Sequence, residues 1–294
     1  MDISPAVISR SIASMQMQVL GSLFGSNSAG NGEIFPALLS QQMGLDNTGA
    51  DATSVLNPGG DVKGLSSTGR NLALFDPESA YNMMSLINSS DALYKAQYAE
   101  LSQMKTGVAR MQAAGQGLGD ITAAPAGEIQ ARLQHFVAQY NDWRQSFGPD
   151  VQQGGLLAGT QAAQVSLYEL EQGVENIFNG AADGIHGLGD MGITIDPETH
   201  LAALDTRQFQ AALSTNPQGA LNAIHEFGAN FAKSAGLLNA DNNFIPSRID
   251  NLGRAIHYIA DNEDALTQEF GTGDAAKPTG KEAQALAAYN RNYP

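Results

Sequence analysis

The chain has 294 residues, 15 Lys+Arg against 30 Asp+Glu, a net charge of −15 and no cysteine. So acidic a chain repels phosphate backbones, which argues against nucleic acid as a partner. Without cysteine there is no disulfide, thiolate nucleophile or Cys-based zinc site. No run of roughly 18 apolar residues exists, so no membrane span is expected. Met1-Asp2 and the Ser- and Gln-interrupted positions after it do not read as a cleavable signal peptide, so the expectation is a cytoplasmic chain or one exported without such a signal.

Residues 4–24 predict a helix, with Ser4 as cap, Pro5 at the first position, and Ile8, Ile12, Met15, Val19 and Leu23 at steps of four and three. Its opposite face is Ser and Gln with Arg10 as the one basic residue, which suits a partner helix better than a lipid surface. Residues 25–70 hold nine glycines and read as a linker. Within it Ile34 to Leu39 is either a short docking helix or a transient one in a tether.

Residues 76–118 form the longest helical pattern, opened by Asp76-Pro77. With Ala80 as heptad position a, the a series continues through Ile87, Tyr94, Leu101 and Val108, and the d series runs Met83, Ser90, Gln97, Met104, Met111, Leu118. Gly107, Gly115, Gly117 and Gly119 are expected to loosen its end. After a short gap, residues 128–147 place Ile129, Leu133, Phe136, Val137, Tyr140, Trp143 and Phe147 on one face, with Gly148-Pro149 as the stop and the single Trp in the core. Thr160 caps a helix expected to reach Phe178.

Residues 184–213 are the stretch around which the chain is organised. Four glycines (184, 187, 189, 192) lead into the alternation Met191-Gly-Ile193-Thr-Ile195, a turn Asp196 to His200, and a run Leu201–Leu204, the pattern of a small β-hairpin. Asp205 reads as an N-cap with Gln208 returning the bond, and Asn216-Pro217 starts a short helix to Phe227. Ser247 caps a last helix whose a and d positions are Ile249, Leu252, Ile256, Ile259, Glu263, Leu266 and Phe270. Glu263 has two readings, a buried polar residue that fixes register or a solvated break in the seam. Gly271 to Gly280 ends that helix, and Lys281–Tyr289 forms a short frayed one.

Chemistry is sparse. Gly187-x-Gly189-x-x-Gly192 matches a dinucleotide fingerprint by letter, but a helix precedes it and a strand follows, the reverse of what phosphate binding needs. No histidine pair has helical zinc spacing, and there is no nucleophile elbow or phosphate-binding loop. No catalytic residue, cofactor or metal site is assigned, and no enzyme is expected.

Several stretches resemble the C-terminal region of the bacterial flagellar filament cap family, hook-associated protein 2. Phe136-Val137-Ala-Gln-Tyr140-Asn141 is similar to its F-V-x-x-Y-N helix, Gly155 to Gly159 to the step before the next helix, and Leu188 to Asp196 to its L-x-D-I-G-I-x-x-D strand. Leu201 to Leu213 with Asn216-Pro217 and Phe227 is similar to the capped run after that strand, and Ser247 to Leu252 to the start of its terminal helix. The likeness covers residues 128–270, and the gap Gly119–Gly127 leaves no room for the family's β-rich head domains. It implies a retained helical stem without the plate.

The resulting expectation is a mainly α fold, an elongated helical bundle or coiled coil with one small β-hairpin. The segments are an N-terminal helix (1–24), a linker (25–70), a bundle with hairpin (71–246) and a C-terminal coiled-coil helix with tail (247–294). The resemblance implies a structural flagellar assembly protein, exported along the flagellar route. It would associate with itself or with axial subunits such as flagellin, through the seam Ile249–Phe270 and the face of Ile8, Ile12, Met15 and Val19. The alternative is a cytoplasmic accessory factor that binds flagellin, cap or export components.

Overall fold

A computed structural model of the protein describes residues 64–121, 124–175 and 184–293. Among them are eight α-helices and one two-stranded hairpin, the mainly α fold expected. The N-terminal face Ile8, Ile12, Met15 and Val19 lies outside the described residues, as do linker residues 25–63.

The spine is α1, Pro77–Gly119, 43 residues long. At about 1.5 Å per residue it runs roughly 64 Å. The Asp76 side chain accepts from the Ser79 backbone N–H, and Pro77 takes the first position. Seam residues Ile87, Leu101, Met104, Val108, Met111 and Leu118 are buried. So are Met84, Ala92, Ala96, Ala99 and Gly119, which lie off the a and d series. The coiled-coil expectation therefore gives way to a helix covered on several sides, by α5 most extensively and also by α2, α6, α7 and α8. Gln97, awkward in a seam, is satisfied here: its Nε2 donates to the Leu156 carbonyl and its Oε1 accepts from Arg248.

Gly107, Gly115 and Gly119, late in α1, are contact points and not a frayed end. A Cβ at Gly107 would lie 2.6 Å from Cδ1 of Trp143, and one at Gly115 would lie 3.0 Å from the Ala232 nitrogen. Their missing side chains let Trp143 and α5 approach.

Helix α2 is Ala126–Val151 and carries Pro149 in its last turn, so Gly148-Pro149 does not stop it. Phe136, Tyr140 and Trp143 are buried, and the Phe136 ring meets Phe227 and Phe231 edge-on at 5.2 and 5.0 Å. Helix α3 is Gln161–Glu175. The hairpin pairs β1 (Ile193–Ile195) with β2 (Ala202–Leu204), Ile193 opposite Leu204 and Ile195 opposite Ala202.

Helix α4 is Thr206–Thr215, and α5 is Pro217–Leu238, eleven residues past the expected end at Phe227. Phe231, Ala232, Ala235 and Leu238 continue its buried face. Helix α6 is Phe244–Asp261, capped by Asn243 and not by Ser247, which lies one turn inside. Asn262 separates it from α7, Glu263–Phe270, so the last long helix is two helices. Helix α8, Gly280–Asn292, packs on α1.

The segment 247–293 thus belongs to the same bundle as 71–246. The last residues of the expected linker are built in as well: Leu65 bridges Asn71, the Gly69 carbonyl accepts from the Thr272 N–H, and Asn71 Nδ2 donates to the Gln268 carbonyl at 2.7 Å.

Candidate functional site

The residues expected to face another chain are occupied within this one. Leu252 joins the main core at 0 % exposure, with Ile249 packed at its edge, and Ile256 is buried. Leu266 and Phe270 close a second, smaller core with Met84 and Ile87 of α1, flanked by Ile259. A helix presents its apolar stripe to the nearest apolar surface, and here α1 supplies that surface. Pairing of this seam with a second molecule would require α6 and α7 to leave the bundle. Glu263 is exposed at the first turn of α7, the solvated reading of that position, where its charge complements the helix dipole.

The hairpin unit is fixed to the bundle by side chains. Asp196 Oδ1 accepts from the Glu198 N–H, the Thr199 N–H and the Thr199 hydroxyl at 3.0, 2.7 and 2.9 Å. Those Thr199 bonds hold the Asp196 carboxyl below the usual carboxylate range. His200 closes the turn with φ of 57°, and its Nδ1 lies 2.7 Å from Glu171 Oε1, which joins the turn to α3. Arg144 of α2 reaches the other Glu171 oxygen at 3.4 Å.

Asp205 caps α4 as expected, accepting from the Arg207 and Gln208 N–H groups. The reciprocal bond of a capping box is absent. The Asp205 N–H goes to the Gly192 carbonyl, and Gln208 Nε2 donates to the Gly189 carbonyl at 2.8 Å. Gln208 therefore holds the glycine-rich turn against α4. That turn is a single 3₁₀ turn, Leu188–Met191, which leads into a strand, so the lettered dinucleotide fingerprint carries no phosphate cradle.

Sequence reasoning missed two features of the surface. Leu72 and Phe75, in the loop before α1, are 64 % and 106 % exposed, an apolar tip at the end of the bundle. Lys281 of α8 lies 3.1 Å from Glu100 Oε1 and 3.3 Å from Asp150 Oδ2, both on carboxylates that are nearly buried. Glu100 falls off the apolar series of α1 and Asp150 comes after a proline, so no spacing pattern marks the pair.

Among the described residues no group of His, Asp and Glu is arranged to hold a metal ion. His135, His186, His225 and His257 sit at exposed positions. No described helix is long and apolar enough to cross a membrane. No protein-family model, curated protein or solved structure matches the chain.

Proposed function

We propose that the chain is a structural assembly protein of the bacterial flagellum, of the filament-cap kind but without head domains, working through protein–protein contact and not through catalysis. The observation that carries this reading is the pairing of Asn141 with Ala202. Asn141 Nδ2 donates to the Ala202 carbonyl at 2.9 Å, and the Ala202 N–H donates to Asn141 Oδ1 at 2.7 Å. Asn141 ends the family-like run on α2, and Ala202 lies in the family-like hairpin. Two stretches that resemble the cap family in sequence thus join into one structural unit, which supports the reading that they act together.

The partners in this reading are axial subunits, such as flagellin or hook-associated proteins, and further copies of the chain. The test is light scattering of the purified chain alone and with each axial subunit. Complexes of defined mass are expected. A monomer that binds none of these subunits sinks the proposal.

The burial of Leu252, Ile256, Leu266 and Phe270 inside the bundle favours a second reading, an accessory factor that binds flagellin, cap or export components in the cytoplasm. Fractionation separates the two. Chain recovered with filaments supports the first reading, and chain retained in the cytoplasm in complex with an unexported subunit supports the second.

A further inference from the structure

Helix α8 is held unlike the rest of the bundle. It buries one side chain, Ala285. Leu286 and Ala288, half-buried, each line an open cleft beside it. One cleft, about 420 Å³, lies between α8, α1 and α7 beside Asp91, Lys95 and Glu263. The other, about 570 Å³, lies between α8, α1 and α2 beside Arg110, Asp142 and Trp143. The helix therefore underfills its seat on both flanks.

What holds α8 is a set of ion pairs at one end and a tyrosine cluster at the other. Lys281 lies between Glu100 and Asp150, whose side chains are 2 % and 8 % exposed. Tyr289 and Tyr293 meet Tyr98 edge-on at 5.5 and 5.1 Å. The connection is fastened only in its first part: the Asp274 N–H donates to Ser85 Oγ, and Asn88 Nδ2 donates to the Thr272 and Asp274 carbonyls. Residues 275–280 then lead to the helix, ending at Gly280 with φ of 55°. Fully extended, these six residues would reach roughly 20 Å.

We propose that α8 is an exchange arm, docking in the α1 seat of a second copy with its Lys281 between that copy's Glu100 and Asp150, while the second copy's arm returns the contact. A second copy is the occupant that fits because it supplies a cation for the buried carboxylate pair and tyrosines for Tyr98 with no new chemistry. The exchange is isologous and closes at two chains. It trades one set of contacts for an identical set, so local concentration sets the balance, and crowding of copies in an assembly favours it. The exchange gives the self-association proposed above a contact, and it rests on that reading.

Charge reversal in the full-length chain tests it. One variant carries Lys281→Glu and the other Glu100→Lys, so each alone places like charges between its own arm and seat. In an equimolar mixture, the carboxylate from the first variant meets the ammonium from the second, and the native Lys281 of the second meets the native Glu100 of the first. Light scattering is expected to give monomer mass for each variant and twice that mass for the mixture, with a maximum at 1:1. Circular dichroism and Trp143 fluorescence check folding. If Glu100→Lys fails to fold, Asp150→Lys takes its place against the same partner. A mixture that stays at monomer mass with either pairing overturns the exchange. If the wild-type chain still forms oligomers in that case, only the arm is refuted. A wild-type chain that is monomeric at all concentrations and binds no axial subunit refutes the self-assembly reading itself.

Discussion

Asn141 binds Ala202 as a neighbouring strand would, with its side-chain amide giving one hydrogen bond and taking another. A two-stranded hairpin is marginal by itself. Here a helix supplies part of a third edge. Asn141→Asp keeps the shape but sets a carboxylate against the Ala202 carbonyl. The expected loss is about 1–3 kcal/mol, since an acceptor is left facing an acceptor in a partly buried site. Urea unfolding measures it, and hydrogen exchange at residues 193–204 locates it.

Gln208 offers a sharper test of what holds the glycine turn. If it closed a capping box, Gln208→Glu would be neutral or stabilising, because Glu serves that role as well as Gln. In the structure Gln208 donates to the Gly189 carbonyl. The substitution is therefore expected to cost about 1 kcal/mol, the order of one hydrogen bond, read as a lower unfolding midpoint. The capping residues themselves, in Asp205→Ala and Asn216→Ala, should each cost about 0.5–2 kcal/mol.

A Cβ placed on Gly228 would lie 2.6 Å from the Gly115 carbonyl oxygen, backbone against backbone. Neither helix can yield locally, so Gly228→Ala must separate α1 from α5. A loss of about 1–3 kcal/mol is expected from overpacking, measured by thermal unfolding. Gly117→Ala, where nothing lies within 4 Å of the added carbon, is the control. It should gain about 0.5–1 kcal/mol from helix propensity.

Burial raises the Glu100 carboxyl above its ordinary value, although Lys281 opposes the shift. Burial lowers Lys281, but the hydrogen bond and charge of Glu100 together with Asp150 outweigh it, and its net shift is upward. A raised folded pKa means that the contribution of Glu100 is complete below the ordinary carboxylate pKa and is lost as pH rises through the raised value. Lys281 keeps its contribution at neutral pH and loses it only on the alkaline side. Global stability, measured by urea unfolding, should therefore gain the Glu100 contribution as pH falls from 7 into the carboxylate range. Glu100→Gln should flatten that slope, and an unchanged slope would contradict this assignment. Asp76 and Asp196, both shifted downward, act in the opposite sense at the α1 cap and the hairpin turn.

The legible parts of the fold were those with local causes. Asp76-Pro77, Asp205 and Asn216-Pro217 announce helix starts, because a cap is a bond between neighbours in sequence. The β1–β2 alternation and the Asp196 turn are equally local. What escaped depends on distant partners. Helix α5 runs on past Phe227 through Gly228 and Ala232, residues of weak apolar signal that pack against Gly115 and Gly119 of α1. Helix α2 carries Pro149 through its last turn. The break at Asn262 divides a heptad pattern that sequence reads as continuous, because α6 and α7 cover different parts of the spine. The candidate surface was the least legible. Apolar spacing marks Leu252 and Ile256 as interface residues of some kind, but it does not say whether the opposing surface belongs to the same chain.

The fastening of Asn71 to Gln268 spans 197 positions of sequence. During synthesis the spine helix emerges early, while Met84 and Ile87 wait for Leu266 and Phe270 to cover them. Loop closure over such a distance is slow relative to local helix formation. A nascent chain is thus held open, with its spine half uncovered, until nearly the whole protein has been made. In that interval the apolar face of Met84 and Ile87 is open to other proteins before the bundle closes.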